Sequence, residues 1–182
     1  MDVSVSGIRS TSGARLAATS SLKPRPLKET LSVALPANEM DRVRRTAGHR
    51  LAPHTADCII EAWGPDRISC LVEALTALIE VFAEPTDTPV THTLVVSVNA
   101  ASDSQVLVAL LEEAIYVLDV FAAVPVQFDL TESEGGGVAG DIGVVPAAQI
   151  EAVGPVPKAV SYHGLRMGDE GGTWRCRVVV DV

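Results

Sequence analysis

A chain of 182 residues, 47% hydrophobic and only 4% aromatic, is long enough for one ordinary domain with a real core, and no apolar run reaches the roughly 18 residues a membrane span needs. Its three cysteines, Cys58, Cys70 and Cys176, form no CxxC pair, which argues against a disulfide framework or a cysteine zinc site and suits a reducing cytoplasm. Residues 1–50 carry nine Lys/Arg against four Asp/Glu, and residues 51–182 carry five against nineteen, so the main body should repel nucleic-acid phosphates unless a local basic patch overrides its field.

Taken in chain order, residues 1–47 read as a poorly ordered leader and residues 48–182 as one domain. "STSGARLAATSSLKPRP" mixes Ser, Ala, Arg and Pro without a sustained period and cannot bury enough apolar surface to order itself. Its Arg- and Ser-rich character admits a transit peptide. Asp2 and the missing amphipathic pattern favour a plain leader, with Met40 a second candidate start.

From Leu51 the pattern tightens, and Cys58–Trp63 reads as a strand. Gly64 turns the chain, and Pro65 suits the first turn of a helix, where its missing N–H costs nothing. Ile68, Leu71, Val72, Leu75, Leu78, Ile79 and Phe82 follow in steps of three and four, the apolar face of an amphipathic helix ended by Glu84-Pro85. "HTLVVSV", His92–Val98, reads as a buried strand. Ser102-x-x-Gln105 is a capping-box signature, and Leu107, Leu110, Leu111, Ala114, Val117, Leu118 and Phe121 mark a second amphipathic helix behind it.

The last third is strand-like. In Val124–Leu130 apolar residues alternate with Gln127 and Asp129; "ESEGGG" is a loop; Val138–Val145 is a weak, glycine-broken strand. Ala159–Met167 and Thr173–Val182 pair as a hairpin across "GDEGG". In the final strand Trp174, Cys176, Val178 and Val180 share one face, and Arg175, Arg177, Val179 and Asp181 the other. Two helices and five or six strands give an α/β fold. We expect a two-layer sandwich, a mixed but mostly antiparallel sheet with both amphipathic helices on one face and the arginines and Asp181 on the other.

Motifs for common chemistries are missing or misplaced. "GGGVAG", Gly135–Gly140, matches GxGxxG, but no clear strand precedes it and "DIGVVP" cannot open a helix, so it reads as a flexible loop. No GKS/T, GxSxG or HExxH occurs. Glu112 and Glu113 read as a solvated helix edge, His49 and His92 as structural or exposed, and Arg175 with Arg177 as a basic patch in miniature.

Asp57 and Asp181 stand apart. One opens an apolar strand and the other closes one. If those strands are antiparallel neighbours, the two carboxylates meet, and they repel unless a proton or cation lies between them. Oxygen-only ligands suit Ca²⁺, Mg²⁺ or Mn²⁺. Val182, the last residue, would add a backbone oxygen and a terminal carboxylate. On spacing alone, two solvated strand-end aspartates remain the favoured reading.

"HTADCIIEAWG" near the start, "LVALLEEAIYVLD" in the middle, "PKAVSYHGL" and the closing "RCRVVVDV" resemble the archease family, in that order and at family-like spacing, over about residues 49–182. HTAD before a strand, KAxxYHGL and a final "DV" make the combination specific. The sequence departs from the family pattern at Pro53, where an aspartate is usual, and at Ile59, where a glycine is usual; Thr131 to Val156 matches poorly.

The resemblance implies a protein that activates a GTP-dependent RNA ligase. That ligase joins 2′,3′-cyclic phosphate or 3′-phosphate ends to 5′-hydroxyl ends in tRNA splicing and RNA repair, and the activator promotes its guanylylation and turnover without being an enzyme. It further implies a divalent metal (calcium, magnesium or manganese) on Asp57, Asp181 and Val182, and a role for Lys158 at the ligase. His54 would orient its turn rather than ligate, and His163 would support the ligase-facing surface. A cytoplasmic protein with the ligase as partner is expected, with no membrane association and no stable nucleic-acid binding of its own. The alternatives are a metal-dependent phosphoesterase or nuclease, which would want a second metal or a positioned base near Asp57, and a chaperone-like interaction module with a structural ion.

Overall fold

A computed structural model describes residues 47–53, 57–84 and 88–182. The expectation of a poorly ordered leader over residues 1–47 lies outside the described residues, Ala47 apart, as does the orienting role expected of His54.

The described elements are β1 (Gly48–Pro53), β2 (Asp57–Gly64), α1 (Arg67–Glu80), β3 (His92–Val98), α2 (Asp103–Phe121), β4 (Ala123–Glu132), β5 (Val138–Pro146), β6 (Ala159–Asp169) and β7 (Trp174–Asp181). They form the expected α/β sandwich, with the strands divided between two sheets. One has the order β1-β2-β7-β6 and the other β3-β5-β4. Every pairing within them is antiparallel. Helix α1 packs on β1, β2 and β7, α2 packs on β3 and β6, and both reach β4. One core therefore joins Ile60, Val178 and Val180 of the first sheet, Val96, Val98 and Ile142 of the second, and Leu71, Leu75, Leu107 and Leu111 of the helices. Each such side chain contributes on the order of 1.5–3 kcal/mol by leaving water.

The helix starts follow local chemistry. Asp66, not Pro65, sits at the N-cap of α1: its carboxylate accepts the Ser69 N–H at 2.7 Å, so the proline precedes the helix instead of opening it. The helix ends at Glu80, ahead of the expected Glu84-Pro85. The chain then turns, and Phe82 and Ala83 join Val124 and Val145 in a smaller apolar cluster. Ser102 caps α2 as expected, with Oγ accepting from Gln105 N–H; the Gln105 side chain reaches back to the N–H of Ala101, one residue beyond the usual capping-box partner.

Two strand assignments change. β5, which reads as weak in the sequence, is the central strand of its sheet, paired on both sides. Its glycines serve close packing: a Cβ on Gly140 would stand 2.0 Å from the carbonyl oxygen of Asp129. β1 has no apolar alternation to announce it. Its inward His49 is half-buried and held by α1, with Nδ1 2.7 Å from a Glu73 carboxylate oxygen and Nε2 2.8 Å from one of Glu80.

Both contacts are strongest when the imidazolium donates from both nitrogens. The hydrogen bond to Glu73, reinforced by Glu80 and opposed by burial, pushes the His49 pKa up from 6.5 to about 9. A base whose folded-state pKa is raised stabilises the fold fully below its unfolded value, and loses that contribution as pH rises through the folded one. The clasp between β1 and α1 should thus be complete below pH 6.5 and fade through about 9. His49→Gln should lower the urea unfolding midpoint at about pH 6 and change it far less at about pH 10. An equal loss at both would assign the contribution to packing instead of charge.

Candidate metal centre

The β2–β7 register is set by what lies beneath it. Ile60 and Ala62 point inward beside Val178 and Cys176, all buried under α1. A slip of one residue would turn both apolar sets to solvent. With that register fixed, Asp57 falls directly opposite Asp181. Directly opposed residues in an antiparallel pair hold their Cβ atoms roughly 4.5–5.5 Å apart, and like charges there destabilise the pair.

β6 completes this end of the sheet. Ala159 stands opposite Asp181 on its other side, and the Lys158 backbone N–H donates to the Asp181 carbonyl at 2.9 Å. Lys158 is exposed, and Val182 follows Asp181 half-buried. The topology thus brings Asp57, Asp181, Val182 and Lys158 to one sheet end. His163 is not part of this group. It sits exposed on a wide bulge of β6, where Tyr162–Leu165 face the single residue Val178, and its N–H donates to Ser161 Oγ at 3.2 Å.

The donors fit a hard divalent cation. The two carboxylates supply only oxygen, their mutual repulsion is relieved by a positive charge, and Asp181 is exposed to solvent. Among the described residues no cluster of three or more His, Cys, Asp or Glu forms, so further oxygens would come from Val182 or from water. The donor set contains no thiolate or imidazole, which disfavours zinc.

Away from the Asp57–Asp181 end, the outward side chains of this sheet form rows across the strands. Arg166, Arg177, Glu61 and Arg50 make one row, and Gly168, Arg175, Trp63 and Gly48 the next. Glu61 pairs with Arg50 and lies 3.7 Å from Arg177. Arg177 also donates to the Gly164 carbonyl at 3.4 Å, which ties down the β6 bulge. Gly164 has φ +66°, a left-handed conformation that favours glycine, and a Cβ there would press on the Arg177 guanidinium.

Other polar groups play structural parts. Arg67 is buried and joins the starts of both helices to the end of β4: it pairs with Asp103 at 2.8 Å and with Glu132, and donates to the Gly136 carbonyl at 2.8 Å. The "ESEGGG" segment is therefore anchored at its base. Glu113 departs from its expected solvated edge: it is buried on α2, and burial pushes its carboxyl pKa up. Its 3.6-residue stripe with Val106, Leu110 and Val117 is the sequence signal for that placement. Cys70 and Cys176 are buried, with Cys70 Sγ 3.6 Å from the Ala62 carbonyl. A shallow, mostly apolar cavity of about 120 Å³ beside Thr76, Ile79, Phe128 and Ile150 contains none of the candidate site residues.

Known proteins resemble this chain over most of its length. Residues 49–182 match the family model described as the Archease protein family (MTH1598/TM1083). The "Probable protein archease" of Mycobacterium tuberculosis (strain CDC 1551 / Oshkosh) is 40% identical over 137 residues, 75% of this chain and 76% of that protein. The "Protein archease" of Pyrobaculum neutrophilum is 27% identical over 145 residues, 76% of this chain and 97% of that one. Among solved structures, Methanobacterium thermoautotrophicum protein 1598 superposes with a TM-score of 0.60 at 22% identity, covering 74% of this chain and 99% of its own. A Thermotoga maritima protein described as "an archease, possible chaperone" gives a TM-score of 0.52 at 19% identity, covering 73% and 96%. At such identities these two likenesses speak for the fold alone.

A ligand that binds only the folded state raises its stability, by about 2.7 kcal/mol at a concentration a hundred times Kd. Excess Ca²⁺, Mg²⁺ or Mn²⁺ should therefore raise the thermal unfolding midpoint of the wild-type protein. Asp57→Asn and Asp181→Asn should each remove that rise. A rise that survives in both variants would locate the ion elsewhere.

Proposed function

The chain belongs to the archease family, and on that premise we propose that it is the activator of a GTP-dependent RNA ligase, promoting the ligase's guanylylation and turnover in tRNA splicing and RNA repair. The observation that carries this reading is the convergence at one sheet end. HTAD contributes Asp57, "PKAVSYHGL" contributes Lys158, and the closing "DV" contributes Asp181 and Val182; β2, β6 and β7 bring these distant segments together.

In this proposal Asp57, Asp181 and Val182 hold a divalent cation, calcium, magnesium or manganese. When bound, the ion supplies positive charge that can draw a phosphate or a carboxylate of the ligase. The chain's own groups do the rest. The backbone bond from Lys158 to Asp181 fixes where the lysine leaves the sheet, and its ammonium has no carboxylate within ion-pair distance among the described residues. It is thus available to a phosphate or an acidic ligase side chain. His163, exposed on the same strand, lies within the surface that would meet the ligase. The acidic body of the domain suits approach to a basic RNA-binding cleft on the ligase better than approach to RNA alone. The protein acts as a partner of the ligase rather than as an enzyme, and in the cytoplasm. No helix among the described residues is long and apolar enough to cross a membrane.

The deciding experiment incubates RNA bearing cyclic-phosphate ends with GTP, with and without the ligase. Joining that is accelerated only when the ligase is present supports the activator reading. RNA cleavage or dephosphorylation by the domain alone would replace it with an enzyme. Lys158→Ala should sharply reduce guanylylation of the ligase while thermal stability stays within about 0.5 kcal/mol of wild type, as for other surface changes. A parallel loss of stability and activation would make Lys158 structural.

A further inference from the structure

The six Lys and Arg residues of 47–182 are distributed unevenly in space. Arg67 is buried among its own carboxylates; the other five, Arg50, Lys158, Arg166, Arg175 and Arg177, all belong to the four-stranded sheet or its end. The two arginines that stand out in the sequence are therefore part of a larger basic surface, assembled by the pairing of β1, β2, β7 and β6. Its partners are uneven too. Glu61 serves Arg50 and Arg177, and Glu170 lies 3.5 Å from Arg175. Among the described residues no carboxylate pairs with Lys158 or Arg166, and both are exposed, Lys158 immediately before the edge strand β6 and Arg166 on it. Between them in the chain lies the bulge, where Tyr162 is 62% exposed.

We propose that this β6 margin and the adjoining outward face bind single-stranded nucleic acid directly, with phosphates on Lys158, Arg166 and Arg175 and a base stacked on Tyr162. Cations alone would serve an acidic peptide equally well. The exposed aromatic ring on the bulge, flanked along the chain by two uncompensated cations, favours a nucleotide chain, because every base offers a face for stacking. Arginine forks match phosphate oxygens in pairs. The acidic remainder of the domain confines the strand to this sheet, which overrides the body's repulsive field only locally. Arg177 holds the bulge in shape through the Gly164 carbonyl and is a positioning residue.

The proposal goes beyond the ligase reading, and its test contains no ligase, so either can fail alone. The probe is a fluorescein-labelled oligouridylate, read by fluorescence anisotropy against the full chain at low salt. Binding should weaken about tenfold or more between roughly 50 and 200 mM salt. Arg166→Ala should lower the slope of log affinity against log salt by about 0.7, the share of one phosphate contact on a single strand. Tyr162→Ala should weaken binding about tenfold, and Tyr162→Phe, which keeps the ring, should retain it. Both side chains are exposed, and melting curves of the variants check that they fold. No binding at low salt would overturn the proposal. So would binding unchanged in Arg166→Ala and Tyr162→Ala, which would assign the probe to the basic residues before β1. Polyglutamate competing as well as unlabelled oligouridylate would overturn it in favour of an acidic protein partner.

Discussion

The register between β2 and β7 governs the rest of the outward face. It is imposed from below: Ile60 and Ala62 on one strand and Cys176, Val178 and Val180 on the other bury themselves against the same core, and a period of two leaves no freedom above them. Once those residues are inside, Asp57 must lie opposite Asp181, Glu61 opposite Arg177 and Trp63 opposite Arg175. Apolar burial is thus what forces two carboxylates together, and a cation or proton is what such a pair calls for.

Charge along the sheet then runs in one direction. One end carries Asp57 and Asp181, and four residues further along β2 the row through Glu61 carries three arginines. At roughly 3.3 Å per residue the two lie about 13 Å apart, beyond the Debye length of about 8 Å at physiological salt. The arginine row is therefore largely screened from the two aspartates, whereas Lys158, bonded through its backbone to Asp181, stands beside them.

Much of this was legible in the sequence. The alternation of β7 and the helical steps of α1 and α2 are strong periodic signals, and the inward and outward sets of β7 are as read; His92–Val98 is a strand as read but not a buried one, because it lies at a sheet edge with only Val96 and Val98 buried and Val95 70% exposed. The encounter of Asp57 with Asp181 followed from strand ends plus one conditional, antiparallel adjacency, which the topology meets. What escaped was non-local. β1 shows no clear alternation because one of its inward positions, next to that of Leu51, is His49, held there by Glu73 and Glu80 from α1. β5 looked broken because its glycines answer to the backbone of β4, as at Gly140. The division into two sheets depends on which strands pair, and periodicity does not encode pairing. The basic surface was read as two arginines because Arg50, more than a hundred residues away, joins it only through the β1–β2 pairing, and Arg166 only past a bulge that shifts the register of β6.

Register-driven juxtaposition of Asp57 and Asp181 is what would make this sheet end a cation site. Crystals of the protein grown with Mn²⁺ test it most directly, through the anomalous scattering of the ion. The account predicts a single strong peak between the two carboxylates, within ordinary metal–oxygen distance of both. Ordered Asp57 and Asp181 side chains with no peak between them at saturating Mn²⁺, or a peak held by other residues, would contradict it.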